Sequence, residues 1–247
     1  MIGIMSAMQE EIQALLNELQ NIESYTKGKR KYYTGNLFGR DVVLVFSRWG
    51  KVASATTATQ LINDFDLDEL IFTGVAGAIS SSLNIGDIVI GKQMVQYDMD
   101  ASPLFGSFEI PLLGKTFFET DIQNCEKLLE ASNTFLNHYS NVISEDQALK
   151  LNIFNPKSVV GDIASADQFV NQKSQVDFIK NYLPSVLCVE MEGAAVAQVC
   201  YEYEVPFSIM RIISDNANDN AHVDFPYFAK EIASKYALEV LKNYFVS

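Results

Sequence analysis

The sequence predicts an α/β fold: one domain over residues 1–247, a three-layer sandwich in which helices flank a central mixed, largely parallel twisted sheet. Short apolar runs alternate along the chain with stretches of helical periodicity. No internal repeat and no linker rich in Pro, Gly or Ser divides them. With 48% hydrophobic and 20% charged residues over 247 positions, the chain can bury a sizeable core and has neither a disordered nor a fibrous composition.

Residues 2–5 form an apolar run, and Ile12, Leu15, Leu16 and Leu19 follow at helical spacing, so a buried strand feeds a helix with Glu10 and Glu11 in its first turn. Residues 32–37 and 42–46 flank Gly39-Arg40 as a hairpin, and 53–65 reads as a helix. A buried strand at 70–73 runs into Gly74-Val75-Ala76-Gly77-Ala78, and after the turn at Gly86-Asp87 another strand occupies 88–90. Residues 98–117 carry two prolines, two glycines and several exposed-looking aromatics with little periodicity; a loop of that length is functional or covers a partner. Alternation then resumes: helix 121–131, strand 158–161, helix 175–182, strand 186–189, helix 194–203, strand 207–213 and a last amphipathic helix over 227–244.

Eighteen basic against 31 acidic residues give a net charge of −13, which repels nucleic acid and anionic membranes unless a basic patch overrides it. The densest basic stretch, Lys27, Lys29, Arg30 and Lys31, reads as a solvated turn or strand end. Cys125, Cys188 and Cys200 are too scattered for a disulfide framework and fit a reducing cytoplasm. The opening residues lack the basic region of a signal peptide and meet Gln9-Glu10-Glu11 before reaching membrane-spanning length, so a soluble, unexported protein is expected.

Absent motifs narrow the chemistry. There is no dinucleotide-type glycine pattern, no phosphate-cradling Gly-Lys-Ser/Thr loop and no Gly-x-Ser-x-Gly elbow. His138 and His222 are far apart and neither lies near a cysteine pair, so no metal is expected and acid–base work falls to carboxylates. Acidic residues stand where strands end or helices begin, the place where open α/β sheets bind ligands: Glu10 and Glu11, Glu190 and Glu192, and Asp215. Each also has an ordinary reading. Glu10 and Glu11 complement the helix dipole. Glu190 and Glu192, two apart, share a face if their strand continues, and are otherwise surface groups. Arg211, beside a core strand, needs an anionic partner. Ser214-Asp215 followed by 216–220 reads equally as a solvated turn.

In combination the segments resemble the 5′-methylthioadenosine/S-adenosylhomocysteine nucleosidases of the purine nucleoside phosphorylase superfamily. Those that carry the resemblance are Gly3-Ile4-Met5-Ser6-Ala7-Met8-Gln9-Glu10-Glu11-Ile12, Gly50-Lys51-Val52-Ala53, Thr73-Gly74-Val75-Ala76-Gly77, Gly86-Asp87-Ile88-Val89, Val189-Glu190-Met191-Glu192-Gly193-Ala194-Ala195, and Val205-Pro206-Phe207 through Arg211-Ile212-Ile213-Ser214-Asp215. They occur in the family's order across nearly the whole chain.

The resemblance implies the nucleoside phosphorylase/hydrolase fold and a hydrolase of the methionine salvage type, without cofactor or metal, that releases adenine from methylthioadenosine, S-adenosylhomocysteine or 5′-deoxyadenosine. It implies Glu11 as the group that activates water, Glu192 as the partner of the ribose hydroxyls, and Asp215, held by Ser214, as the acid that protonates adenine N7. Phe169 and Val170 would read the purine edge through their backbone, and Met191 would lie along the ribose. Arg211 would orient the acidic cluster, Glu190 would belong to the substrate-binding lining, and Met8 and Phe225 would wall the 5′ substituent. Trp49, Val75, Ala76, Gly77 and Ala217 complete the expected lining. A homodimer is also implied, with the 98–117 loop reaching the neighbouring pocket; Phe105, Phe108, Ile110, Pro111 and Leu112 give that loop an apolar face.

The chemistry asks for these residue types. Breaking an N-glycosidic bond makes an oxocarbenium-like sugar and a poor purine anion, so an acid at the base and a carboxylate near the sugar lower the barrier from both ends. An acid working near neutral pH needs an enclosed site that raises its pKa. Two segments depart from the family pattern, Ser47-Arg48-Trp49-Gly50-Lys51 for Ser-Gly-Ile-Gly-Lys and Val75 for the serine of Thr-Gly-Ser-Ala-Gly. Trp49 is expected to reshape the 5′ pocket, against the longer tail of S-adenosylhomocysteine above all. Rival readings are a purine nucleoside phosphorylase, a futalosine-type nucleoside hydrolase and a catalytically silent nucleoside-binding protein.

Overall fold

The computed structural model describes residues 1–217, 225 and 227–246. Within them the elements run β1 (Ile2–Ser6), α1 (Gln9–Glu18), β2 (Gln20–Lys27), β3 (Arg30–Leu37), β4 (Arg40–Phe46), α2 (Lys51–Asp64), β5 (Glu69–Ala78), β6 (Ile88–Gln96), β7 (Phe117–Glu119), α3 (Ile122–Leu136), α4 (Glu145–Leu151), β8 (Ser158–Ser165), α5 (Lys173–Tyr182), β9 (Val186–Glu190), α6 (Gly193–Glu202) and β10 (Phe207–Asp215). A π-helical turn at Ala229–Ala233 leads into α7 (Ser234–Val246).

The core strands are almost continuously apolar because both faces of the sheet are covered. Alternate side chains divide between two layers. Ile4, Leu44, Ile71, Ile88, Ile90 and Met210 pack with Leu15 of α1, Leu128 and Phe135 of α3, and Val240 and Leu241 of α7. Their neighbours Met5, Val43, Val45, Phe72, Val89 and Ile209 pack with Leu61 of α2 and Val196 and Cys200 of α6. That period of two makes three layers, as expected.

The sheet is mixed, as expected, and among the described residues its longest ladder, β5 with β10, is parallel. Parallel contacts join β1 to β4 and β5, β5 to β10, β6 to β8, and β8 to β9. Antiparallel ones are as numerous: β2 with β3, β3 with β4, β5 with β9, β6 with β7, and β6 with β10. The links at 28–29 and 38–39 are too short for crossovers and force hairpins.

β5 is the topological hinge. Along one edge it pairs with β10 from Leu70 to Gly77. Along the other it pairs with β1 only as far as Phe72, and with β9 only from Gly77 onward. Past β5 the strands β10, β6, β8 and β9 return to it and close a small ring, while β1, β4, β3 and β2 continue as an open sheet. Residues 73–76 therefore lie in a fork, with one edge unclaimed by either strand.

Two elements carry no strong pattern in the sequence. β2 is exposed at every position, so no apolar alternation marks it. The short α4 is announced by the Ser144/Gln147 capping pair. In the 98–117 loop, Phe108 and Ile110 are buried within their own chain, contrary to the expected apolar face. Phe108 sets its ring edge-on to Phe178 and Tyr182 of α5. Leu104 and Leu112 are the exposed apolar residues of the loop, at 83% and 94%.

Candidate active site

Glu11 is the third residue of α1, and its carboxylate folds back over the end of β1. One oxygen accepts from the backbone N–H groups of Ala7 and Met8 at 3.0 and 2.9 Å. In that way it satisfies amides at a helix start where Met8 offers no side-chain oxygen. The other accepts from the N–H of Val75 at 3.2 Å. Val75 sits in the fork of β5, where no strand takes its amide. The residue is 2% exposed. Burial pushes its pKa up to about 7, against the opposing pull of Arg211 and the three backbone donors.

Glu190 ends β9, and the chain turns at once, so Glu190 and Glu192 do not share the face that a continuing strand would give them. Glu190 turns to the interior. It accepts from Nη2 of Arg211 at 2.9 Å, from the N–H of Glu192 at 3.1 Å, from the N–H of Gly193 at 2.8 Å, and from the Ser165 hydroxyl. Arg211, 1% exposed, also donates to the carbonyls of Phe72 and Met210 and stacks on the Phe72 ring. A buried guanidinium with a carboxylate and carbonyl partners is the arrangement such a charge requires.

Glu192 stands just before α6, and its carboxylate reaches across to accept from the N–H of Gly50 at 2.8 Å. Gly50, with φ of 93°, opens α2 in a backbone shape that side chains disfavour. Desolvation, with the neighbouring Glu190 charge adding to it, holds Glu192 well above the usual carboxylate range.

β10 carries an irregularity between Ile213 and Asp215, so Ser214 is the extra residue and Asp215 is re-aimed at the strand's end. The Ser214 hydroxyl donates to Asp215 Oδ2 at 2.9 Å, and the N–H of Ala217 donates to Oδ1 at 2.8 Å. Asp215 is 3% exposed. Gly77 lies against it: a Cβ there would sit 2.9 Å from Oδ1.

Glu11, Glu192 and Asp215 line one cavity. Met8, Trp49, Val75, Ala76, Gly77, Phe169, Val170, Glu190, Met191, Ser214 and Phe225, all named from the resemblance, line it too. Arg211 and Ala217 do not; the first lies behind Glu190 and the second supports Asp215 from its backbone. Ala7, Gln168 and Val189 also line the cavity, each adjacent in sequence to a predicted residue. An aromatic wall runs from Trp49 to Phe225 to Phe169, with ring centroids 5.8 and 6.0 Å apart. Trp49, 53% exposed, stands at the mouth. His222 and residues 218–220 lie outside the described residues.

A family model described as the phosphorylase superfamily matches residues 1–245. The chain is 35% identical, over 98% of both chains, to the 5′-methylthioadenosine/S-adenosylhomocysteine nucleosidase of Staphylococcus aureus strain NCTC 8325 / PS 47. Among solved structures, the nucleosidase of that name from S. pneumoniae, bound to the transition-state inhibitor MT-ImmA, superposes with a TM-score of 0.84 at 32% identity, covering 99% of this chain and 97% of that one. The futalosine hydrolase of Helicobacter pylori strain 26695 superposes with a TM-score of 0.83 at 31% identity, covering 98% and 96%.

Proposed function

The chain belongs to the phosphorylase superfamily and within it to the 5′-methylthioadenosine/S-adenosylhomocysteine nucleosidases, and from that membership we propose that it hydrolyses the N-glycosidic bond of such adenosine derivatives to adenine and a 5-thioribose. The observation that carries the reading is the convergence of Glu11, Glu192 and Asp215, from three distant segments, on one cavity.

The steps follow from the positions of the acids. Asp215 delivers a proton to N7 of the purine as the bond between N9 and C1′ lengthens, and the bonding pair leaves with the base. Glu192 holds the ribose hydroxyls at the floor. Glu11 accepts a proton from the water that adds to C1′, and with its pKa brought to about 7 it is poised as a base at neutral pH. Phe169 and Phe225 offer flat apolar faces to the base and the 5′ substituent. The Glu11 carboxylate also weighs against phosphate as the acceptor, since it would repel that anion. The nearby cation, Arg211, is fully engaged with Glu190.

Two further features belong to the proposal: a cytoplasmic setting, which the buried free thiols suit, and a homodimer in which the 98–117 loop approaches the neighbouring pocket. Exposed Leu104 and Leu112 support the second. The H. pylori neighbour keeps a futalosine-type hydrolase as the alternative. One assay decides: adenine release from methylthioadenosine, S-adenosylhomocysteine, 5′-deoxyadenosine and aminofutalosine, with and without phosphate. Release from the first two without phosphate is expected; a phosphate requirement would make the protein a phosphorylase.

A further inference from the structure

The basic stretch at 27–31 has a position that its sequence did not reveal. Gly28 and Lys29, both at positive φ, form the turn between β2 and β3. Arg30 then folds onto the segment after β4. Its guanidinium donates to the carbonyls of Gly28, Ser47 and Ala53 at 3.0, 3.2 and 3.1 Å. Arg48 donates to the Lys29 carbonyl at 2.8 Å.

Neither arginine has a carboxylate within ion-pair distance among the described residues, although the chain carries a net charge of −13. Arg48 is held at φ of 74°, a conformation that non-glycine residues disfavour. Both arginines line a shallow, open groove together with Trp49, Thr56 and Asp167. Trp49 borders this groove and the catalytic cavity alike. Asp167 uses one oxygen to accept from the N–H of Lys51 at 2.7 Å.

We propose that this groove is a subsite for an amino-acid tail on the 5′ position of the substrate. The tail's carboxylate pairs with Arg48, beside the charge of Arg30. Its ammonium meets Asp167, and its methylenes cross the indole of Trp49. The proposal rests on the nucleosidase reading and adds to it a preference for S-adenosylhomocysteine, despite the bulk of Trp49. Unpaired guanidinium groups bind carboxylates through charge-assisted hydrogen bonds. A methylthio group carries no charge to pair with Arg48 or Asp167.

The test is steady-state kinetics on the full chain and its Arg48→Gln and Asp167→Asn variants. The substrates are methylthioadenosine, S-adenosylhomocysteine, and two analogues of the latter, one with the tail carboxylate as carboxamide and one without the amino group. Arg48→Gln is expected to lower kcat/KM for S-adenosylhomocysteine by about two- to fivefold, through KM, the range of a solvent-exposed charge pair. Methylthioadenosine and the carboxamide should be turned over as by the parent. Asp167→Asn should impair S-adenosylhomocysteine and spare the deaminated analogue. Added salt should weaken S-adenosylhomocysteine turnover in the parent more than in Arg48→Gln. Unchanged use of S-adenosylhomocysteine by Arg48→Gln, or an equal loss on methylthioadenosine, overturns the arginine subsite. Equal loss of both tailed substrates in Asp167→Asn overturns the aspartate's part. Failure of the parent to release adenine from any of them overturns the nucleosidase reading instead.

Discussion

Glu11 binds three backbone amides and still has a raised pKa, so burial outweighs hydrogen bonding at this carboxyl. That balance has two readouts. Replacing Glu11 or Asp215 by its amide should cut kcat on methylthioadenosine by about 10²- to 10⁴-fold while the circular dichroism spectrum is unchanged. For the parent, kcat/KM should fall as pH drops below about 7, as the base is protonated. Stability moves the other way. The folded chain keeps the Glu11 proton to a higher pH than the unfolded chain, so this residue's contribution is full below 4.5 and is lost as pH rises through about 7. Urea titrations should show Glu11→Gln gaining on the parent by roughly 3 kcal/mol across that window, at about 1.36 kcal/mol per pKa unit. A constant difference from pH 4.5 to 8 would refute the burial of that charge. The sequence announced the acids through their positions at strand ends. It did not announce that Glu190, two residues from Glu192, is spent on Arg211, because that depends on where β9 stops.

At the scale of elements, the site is a meeting of strand ends, and β5 and β10 set its tolerance. Gly77→Ala would put a methyl group 2.9 Å from the acid's Oδ1. Displacement of a catalytic group by about 1 Å can cost about 10²-fold, so kcat should collapse with little change in the urea midpoint. If Gly77→Ala retains parental kcat, Asp215 is not held against β5 as described. The strands that face the core on both sides were legible from their apolar runs, as were α1, α2, α3, α5 and α6. The reach of β5 to Ala78 was not, because Gly74, Ala76 and Gly77 lack the branched side chains that signal a strand. β2 was hidden for the opposite reason: it buries nothing, and only its hydrogen bonds to β3 define it.

For the whole molecule, layering and connectivity were readable, whereas ring closure was not, since it depends on pairings between residues as remote as Leu70 and Phe207. Association is the remaining question at this scale. Leu112, 94% exposed, stands on a loop otherwise anchored by Phe108 and Ile110. Leu112→Asp should shift sedimentation from dimer to monomer and lower activity with it; a parent that sediments as a fully active monomer would remove the shared-pocket model. The divided edge of β5 also bears on how the protein is made. When the nascent chain has emerged from the ribosome as far as Glu202, Glu11 and both glutamates of the β9 turn are outside, but not the arginine that neutralises one of them, nor the aspartate that faces them. The emerging polypeptide thus exposes an unzipped strand beside uncompensated negative charge. It becomes an enzyme only with its final segments, and the interval before then is when chaperones have most to protect.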